Sequence, residues 1–486
     1  MGWDLLTVLV APFAVAVACW WAPVPVGRAL SLGGGLLTFA LGVVLVPSGH
    51  AVALDGWLRV DDLSVVFLVA VGFLYLVTMV FTVGYVHPAG EPDVAARYQR
   101  RLLAGLNLFC WAMAVAPLMS SLALLWVAIE VTTVVSALLV AIDDTAGATE
   151  AAWKYVLIAS MGLGIALFAT ITVYDAGSTV LGNDYELFIP QLLAHASHFP
   201  AQMVRLSFVL AVLGFGTKVG LFPVHTWLPD AHSEAPTPVS ALLSGALLAL
   251  SFYAVLRYFQ IAVRAVGGTF PRDVLLAFGL ASLALAALAV SAQRDLKRLL
   301  AYSSVEHMGI LAIGMSFAAP IAVVGVLLQV LAHAAAKGTA FFGAGSVARK
   351  FGTKDMARIR GGIRALPWSG PMLVLAVLAL SALPPFGIFR SEFLIVEGGL
   401  SDPHQATVAV LVVLVLLAFA GLSWFSTRTM LSPAAGSASL PAGEPSLWIV
   451  AAMVVGLVAL AVLGVHPPGQ LSDLLRRAAA ELGVPR

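Results

Sequence analysis

Charged residues and cysteines are scarce in this 486-residue chain. Asp, Glu, Lys and Arg make up 10% of the sequence, whereas 60% is hydrophobic and the mean hydropathy is +0.98. This composition excludes a soluble globular protein. The two cysteines, Cys19 and Cys110, lie inside apolar runs and have no evident disulfide role. A net charge of +1 without basic runs argues against a nucleic-acid partner.

Motifs for catalysis or cofactor binding are also missing. The sequence has no Gly-rich phosphate loop, cysteine cluster or serine-nucleophile motif. Four residues with metal-ligand chemistry, His225, Asp230, His232 and Glu234, fit no common zinc spacing. A metal site there is the weaker alternative, and stabilisation of a broken helix by this Pro-rich loop is favoured. We expect no cofactor, metal or catalytic residue in this chain, so any enzyme activity would belong to partner chains.

Long apolar runs fill most of the sequence. Each is long enough to cross the hydrocarbon core of a bilayer as a helix. They predict an all-α polytopic membrane protein with about fourteen transmembrane helices. The predicted spans are 5–24, 29–46, 63–86, 102–118, 121–142, 155–173, 205–222, 239–256, 274–292, 299–318, 320–347, 369–396, 405–430 and 446–465.

The basic residues predict an orientation in the inner cell membrane. If the N-terminus lies outside, 15 of the 26 Lys and Arg face the cytoplasm and 9 the other side, while Lys218 and Lys337 lie within spans. This asymmetry follows the positive-inside rule and places both termini outside the cytoplasm. The first span carries Asp4 and no basic segment before it, so it is expected to be a retained helix.

A lysine and a helix break coincide in the span 205–222. Lys218 lies inside the apolar run, and Pro223 interrupts the helix just beyond it. A lysine near the bilayer centre costs about 2.5 to 3.5 kcal/mol on insertion scales. Broken backbone at that depth must face protein or water. Together they predict a site that handles charge.

A second break suggests that the core is internally doubled. The span 369–396 is interrupted at Pro384 and Pro385 and then carries Glu392. Two broken helices at matching positions predict two inverted five-helix repeats. The alternative is that proline and glycine are simply common in membrane helices. The predicted division is 1–101 (three N-terminal helices), 102–256 and 257–430 (the two repeats), and 431–486 (the last helix and tail).

Buried ionisable residues in other spans are candidates for a proton relay. Glu130 is the expected partner of Lys218, because a pair that can be charged or neutral stores a proton; a static ion pair is the alternative. His333 and Lys337 are four residues apart, which places them on one helix face about 6 Å apart along its axis. His307 lies deep in the span 299–318. Glu392 is the candidate proton exit, unless Arg390 neutralises it.

These residues and their surroundings resemble the antiporter-like subunits of respiratory complex I, membrane-bound hydrogenases and multisubunit cation/proton antiporters. The resemblance runs from about residue 60 to residue 400. Within that superfamily the chain looks most like component F of hydrogenase-4 and related formate hydrogenlyase-type complexes. The motifs that carry it are KVGLFPVHTWLPDAHSEAPTPVSALLSG, DLKRLLAYSSVEHMG, HAAAK, LLWVAIEVTT, TEAAWKYVLIASMG and LPPFGIFRSEFLI.

The resemblance implies a role for each candidate. Glu130 and Lys218 would form the input pair, His307, His333 and Lys337 the central axis, and Glu392 the output. It also implies other membrane subunits and peripheral NiFe-type and iron–sulfur subunits as partners, with the redox chemistry in those chains.

One position departs from the pattern of the family. Many relatives carry a lysine or histidine where this chain has Ala249. We therefore expect the link between Lys218 and His333 to use water or hydroxyls such as those of Ser244 and Ser251. The expected function is proton translocation within a hydrogenase-like or complex I-like redox complex. Alternatives are a subunit of a non-redox cation/proton antiporter or ion-driven carbon-uptake complex, and a scaffold that no longer pumps.

Overall fold

The computed structural model describes residues 2–85, 92–401, 405–433 and 440–483, and these residues form an α-helical bundle. Position 86, the predicted end of the third span, lies outside the described residues. The helices are α1 (Gly2–Trp21), α2 (Val24–Leu45), α3 (Asp62–Gly84), α4 (Pro92–Val115), α5 (Leu122–Val140), α6 (Ala146–Leu181), α7 (Ile189–His195), α8 (Ala201–Val219), α9 (Leu228–Glu234), α10 (Thr237–Leu242), α11 (Leu248–Val266), α12 (Thr269–Ser291), α13 (Leu296–Ser316), α14 (Pro320–Phe351), α15 (Gly362–Ala365), α16 (Ser369–Leu380), α17 (Gly387–Leu400), α18 (Gln405–Phe425), α19 (Leu447–Val465) and α20 (Gly469–Glu481).

Twelve helical segments within the described ranges are long and apolar enough to cross a membrane. The protein is therefore an all-α multi-pass membrane protein, as predicted. Two further predicted spans correspond to α13, which carries Glu306 and His307, and to the broken pair α16 and α17. The count of fourteen, the inverted repeats and the four-part division stay predictions.

Burial separates a central set of helices from a lipid-facing set. The most apolar stretch of the segment Thr237–Val266 is fully buried and that of α14 is 89% buried. Helix α14 packs against α13, α16, α17 and α19 on its different sides. The corresponding stretches of α1 and α18 are each only 28% buried, and their apolar side chains face outward. Polar residues on the central helices are consequently shielded from lipid.

The first helix break separates α8 from α9. Helix α8 ends where Gly220 adopts a left-handed backbone conformation (φ +85°), and Pro223 lies in the non-helical segment that follows. The indole of Trp227 donates to the carbonyl oxygen of Thr217 (2.7 Å), and the Phe222 N–H donates to the Ser282 hydroxyl (2.9 Å). These side chains satisfy backbone groups that lipid could not. The broken segment is therefore held inside the protein.

The second break separates α16 from α17 and contains Pro384 and Pro385. Helix α17 then begins at Gly387, so Glu392 falls in its second turn. Helix α17 packs against α14, and this turn lies beside Gly325 and Gln329 in the buried first third of that helix.

A hairpin and the last helix are among the elements that were not predicted from the sequence. Strands β1 (Ala51–Ala53) and β2 (Leu58–Val60) form an antiparallel hairpin in which Ala51 pairs with Val60. Helix α20 is amphipathic and buries Leu474 and Ala478 against the bundle. It packs on α3 and α14 and thereby covers the beginning of α3.

Candidate functional site

Lys218 is fully buried and is held by neutral acceptors. Its Nζ donates to the carbonyl oxygen of Ile129 (2.9 Å) and to the hydroxyls of Thr132 (2.6 Å) and Thr133 (2.5 Å). All three acceptors lie on α5. The helix break does not disturb this contact, because Lys218 lies in the last turn of α8, just before the break.

Glu130 shares helix α5 with those acceptors but forms no ion pair with Lys218. One of its carboxyl oxygens, Oε2, is buried without a hydrogen-bond partner among the described residues. Glu130 is adjacent in the chain to Ile129, whose carbonyl oxygen binds the Lys218 ammonium. The structure thus places Lys218 close to Glu130, but the Lys218 ammonium is directed at Thr132 and Thr133. Direct pairing of Lys218 with Glu130 stays a prediction.

Lys337 repeats the arrangement in the second half of the chain. Its Nζ donates to the carbonyl oxygen of Leu300 (3.0 Å) and to the hydroxyl of Ser303, both on α13. Lys337 is fully buried on α14. Lys218 and Lys337 therefore each have a carbonyl and at least one hydroxyl of a neighbouring helix as acceptors.

The two predicted histidines meet between α13 and α14. The ring centroids of His307 and His333 are 5.3 Å apart, with the rings edge to face. Both residues are fully buried. Neither ring nitrogen of His333 has a hydrogen-bond partner within the part of the chain that is described. Four predicted residues, counting Lys337 and Glu392, therefore lie around one intersection of helices.

Glu392 contacts this cluster from α17. Its Oε1 lies 3.6 Å from His307 Nδ1 and accepts a hydrogen bond from the Gln329 amide nitrogen (3.3 Å). Arg390 points elsewhere, since it donates to the carbonyl oxygens of Gly464 and Val465 (3.2 Å each). The alternative in which Arg390 neutralises Glu392 has no contact to support it.

Glu392 also borders a lateral cavity of about 220 Å³ between α17 and α18. The other side chains of this cavity are apolar and include Phe389, Phe393 and Leu411. The carboxyl group therefore lies where the buried cluster ends and a more open apolar space begins.

Two members of the cluster were absent from the predicted relay. Gln329 lies one turn before His333 on α14, and its Nε2 is 3.2 Å from His307 Nδ1. Glu306 is buried on α13, and its Oε2 has no hydrogen-bond partner in the described ranges. Gln329 could have been predicted from its spacing, because positions 329, 333 and 337 are four residues apart and lie on one face of the helix.

A hydroxyl contact connects the helices of the two halves. Ser244 and Ser304 share a hydrogen bond (2.7 Å) between the π-helical turn Leu243–Leu247 and α13. Ser304 is adjacent to Ser303, which binds Lys337. Ser251 instead donates to Leu247 on its own helix (2.9 Å). Of the two serines proposed to replace a basic group at Ala249, only Ser244 makes an interhelical contact.

The acidic residues of the Pro-rich loop take part in ion pairs. Asp230 pairs with Lys154 (3.3 Å) and Arg298 (3.1 Å), and Glu234 pairs with Lys354 (3.0 Å). These contacts tie α9 to the neighbouring helix ends, which agrees with a stabilising role of the loop.

A different group of side chains has the spacing of a metal site. Among the described residues, His50, Asp62 and Glu481 bring their possible ligand atoms close together. The Glu481 carboxylate accepts from the backbone N–H groups of Asp62 (3.3 Å) and Leu63 (3.1 Å). Arg477 donates to Asp62 Oδ1 (2.9 Å). This cluster therefore has an internal set of partners that fastens α20 to the start of α3.

Residues 119–418 match the family described as NADH:quinone oxidoreductase/Mrp antiporter, transmembrane. This range covers more than half of the chain and includes each predicted relay residue. The fold and the buried charges define an antiporter-like membrane subunit, and the chain belongs to this family.

Individual relatives agree with this membership. The chain is 37% identical over 349 residues to a hydrogenase-4 component F homolog of Methylacidiphilum infernorum, covering 70% of this chain and 71% of that protein. It is 30% identical over 431 residues to NADH-quinone oxidoreductase subunit N of Desulforudis audaxviator, covering 85% and 83%. A chain of the Mrp complex from Dietzia sp. DQ12-45-1b has the same fold, with a TM-score of 0.84 at 20% identity over 99% of this chain and 98% of that one.

Proposed function

We propose that this chain carries protons across the membrane through a buried row of Glu, Lys and His residues. The carrying observation is that Lys218 and Lys337, both fully buried, are bound by carbonyl and hydroxyl oxygens and by no carboxylate. Neutral acceptors can hold lysine in either protonation state, because a hydroxyl can donate as well as accept. A buried lysine so placed is suited to gain and lose a proton.

The first step uses Glu130 and Lys218. When Lys218 leaves Glu130 it loses the charge that favours its protonated form, and it rests against Thr132 and Thr133, as in this structure. It is then able to pass a proton on. Association with Glu130 would favour proton uptake again, so the position of Lys218 sets the direction of the step.

The second step joins the two halves through hydroxyl groups. The Ser244–Ser304 hydrogen bond leads to the helix turn that holds Lys337. Hydroxyls relay protons when water completes the chain, so a basic residue at Ala249 is not required. Lys337 then receives the proton beside His333 on the same helix face.

The last step delivers the proton to Glu392. His333 faces His307 at a centroid distance of 5.3 Å, and His307 Nδ1 lies 3.6 Å from the Glu392 carboxylate. An imidazole exchanges protons readily near neutral pH. Glu392 is the last ionisable residue of this row and lies at the edge of the buried cluster, which supports the proposal that it is the exit of the relay.

The setting we propose is a redox complex in the inner cell membrane, with both termini of this chain outside the cytoplasm. Support comes from relatives named as components of hydrogenase-4 and of NADH-quinone oxidoreductase. Other membrane subunits would contact this chain, and NiFe-type and iron–sulfur subunits would hold the redox cofactors, with none in this chain. A cation/proton antiporter complex is the second candidate, favoured by the likeness to the Mrp complex chain.

Co-purification distinguishes the two settings. The tagged chain is extracted from its native membrane in mild detergent, and every co-purifying polypeptide is identified. Recovery of NiFe-type and iron–sulfur subunits supports the redox complex. Recovery of membrane antiporter subunits alone would replace it with the antiporter complex.

Proton transport by the purified complex tests the relay itself. We expect Lys337→Met to lower proton translocation in proteoliposomes at least about tenfold, the effect of losing a positioned proton carrier. Lys350→Met is the matched control, because Lys350 lies near the end of the same helix and its one hydrogen bond to a described residue is to the Gly443 carbonyl oxygen (3.0 Å). Equal translocation by both variants would contradict the proposal.

A further inference from the structure

Gln329 joins the histidine and the carboxylate at the end of the row. Its Nε2 is 3.2 Å from His307 Nδ1 and 3.3 Å from Glu392 Oε1. Its Oε1 is 3.2 Å from the Ser391 hydroxyl. One carboxamide on α14 thus contacts α13 and α17 together. The carboxamide is fully buried, so the hydrogen-bonding capacity of each end must be met within the protein.

The orientation of the Gln329 amide indicates which atoms of His307 and Glu392 carry protons. An amide nitrogen has two N–H donors and no acceptor. When it faces His307 Nδ1, that nitrogen must be the acceptor, so His307 is neutral and its proton is on the other ring nitrogen. The same nitrogen donates to Glu392, which accepts best as a carboxylate. This orientation therefore corresponds to a His307–Glu392 pair that lacks the transferable proton.

The reverse orientation corresponds to the opposite state. A half-turn of the amide would bring Oε1 towards His307 and Glu392, where it accepts a hydrogen bond from whichever of the two carries the proton. An amide occupies nearly the same space in both orientations, so no backbone movement is needed. The amide is then turned according to whether the pair carries a proton.

Ser391 can satisfy Gln329 in both orientations. Its hydroxyl lies 3.2 Å from Gln329 Oε1 and 2.8 Å from the carbonyl oxygen of Ile388. A hydroxyl has one proton to donate and can also accept. In the first orientation it donates to the amide oxygen. In the second it donates to Ile388 and accepts from the amide nitrogen, so both ends of the Gln329 amide have a partner in either orientation.

We propose that Gln329 is a positioning residue with two amide orientations. It turns to allow transfer of a proton from His307 to Glu392, and it then returns to its first orientation. This inference rests on the proposed proton translocation and deepens it. A proton arriving at His307 Nδ1 displaces the amide donor, and the amide turns and withdraws its N–H from Glu392. The Nδ1–H bond then breaks as an O–H bond forms on Glu392. His307 returns to its neutral form, and release of the proton from Glu392 restores the first orientation.

The competing explanation is that Gln329 is a static clamp between three helices. Gln329→Met keeps the length and shape of the side chain without its donor and acceptor, and Gln329→His restores both on an imidazole. For the switch, we expect Gln329→Met to lower translocation by the purified complex about tenfold at unchanged yield and thermal stability. Gln329→His should recover most of the rate. A clamp would instead lose yield or thermal stability in Gln329→Met, and that result would overturn the proposal.

Serine variants provide a test that does not alter Gln329. Ser391→Ala removes the hydroxyl that serves both orientations, so we expect it to slow translocation. Ser381→Ala is the matched control, because Ser381 is also buried, but among the described residues its hydroxyl donates to the Val377 carbonyl oxygen one turn earlier and to no other helix (2.9 Å). Equal rates for the two variants would overturn the switch.

Infrared difference spectra report on the switch directly. In the wild-type complex with isotope-labelled glutamine, protonation of Glu392 should be accompanied by a change in a glutamine amide band. The amide change should be absent in Glu392→Gln, which also loses translocation if the proposed function holds. If Glu392→Gln loses translocation while Gln329→Met retains it, the switch is wrong and the relay stands. If both variants retain the wild-type rate, the relay itself is wrong.

Discussion

The Glu392 carboxylate lies 3.6 Å from His307 Nδ1, although the two residues belong to different helices and come from distant parts of the sequence. The contact depends on the break at Pro384 and Pro385, since α17 begins afresh at Gly387 and places Glu392 in its second turn. The break in the second broken helix therefore positions the Glu392 carboxylate beside His307.

Lys218→Ala should abolish coupled proton translocation while leaving assembly intact. The substitution removes a buried ammonium, whose burial costs free energy, so the fold itself should not be weakened. The rate is measured by dye quenching in proteoliposomes that contain the purified complex. Lys154→Ala is the control, because Lys154 lies 49% exposed in surface ion pairs. Undiminished translocation by a well-assembled Lys218→Ala complex would exclude Lys218 from the relay.

Valine at both Thr132 and Thr133 should slow translocation and favour pairing of Lys218 with Glu130. The double variant leaves the Ile129 carbonyl as the only acceptor observed for the ammonium. Because each lost partner of a buried polar group costs about 1 to 3 kcal/mol, the resting position at α5 becomes unfavourable. We expect a rate at least about threefold lower, which corresponds to an increase of at least about 0.65 kcal/mol in the barrier.

The matched control for the threonine pair is Thr172→Val. Thr172 is half-buried, and within the described residues its hydroxyl donates to the Phe168 carbonyl oxygen of its own helix and to no other group (2.8 Å). If the double variant translocates at the rate of this control, the threonines do not provide a resting position for Lys218.

Glu481 should make the docking of α20 sensitive to pH. Burial, together with the neighbouring Asp61 charge, raises the pKa of Glu481 from 4.5 to about 7. A raised pKa in the fold means that the stabilisation is complete below pH 4.5 and is lost as pH rises through about 7. We expect Glu481→Gln to raise Tm above pH 7 by about 2 °C.

Thermal unfolding of the purified complex across this pH range checks the expectation. The wild type and Glu481→Gln should have equal Tm values at pH 4.5 and diverge towards pH 8. A difference in Tm that stays constant with pH would show that titration of Glu481 does not affect the docking of α20.

The sequence pointed to the residues of the candidate site but not to the contacts between them. Lys218, His333 and Glu392 are conspicuous because ionisable groups are costly within apolar spans. Their acceptors were not predictable, since a Lys218 bond to Thr132 depends on how α5 and α8 pack. That packing is set by side-chain shape along the whole interface, which the apolar pattern alone does not specify.

Uncharged and short elements escaped prediction for related reasons. Gln329 carries no charge, so it lacks the large free-energy cost of burial in the membrane that marks an ionisable residue. Its four-residue spacing from His333 was nevertheless visible in the sequence. The hairpin β1–β2 has only three residues in each strand, too few for a detectable alternation. Helix α20 is too polar and too short to be recognised as a span.

The central claim is that protons leave the buried row through Glu392. Comparing the proton translocation rates of Glu392→Gln and Glu397→Gln tests it most directly. Both glutamates lie on α17, but Glu392 is 9% exposed at the histidine cluster while Glu397 is exposed. The complex is purified through this chain, reconstituted and energised, and proton movement is recorded for each variant. The relay predicts that Glu392→Gln stops translocation and that Glu397→Gln transports at the wild-type rate. Wild-type translocation by an intact Glu392→Gln complex would contradict it.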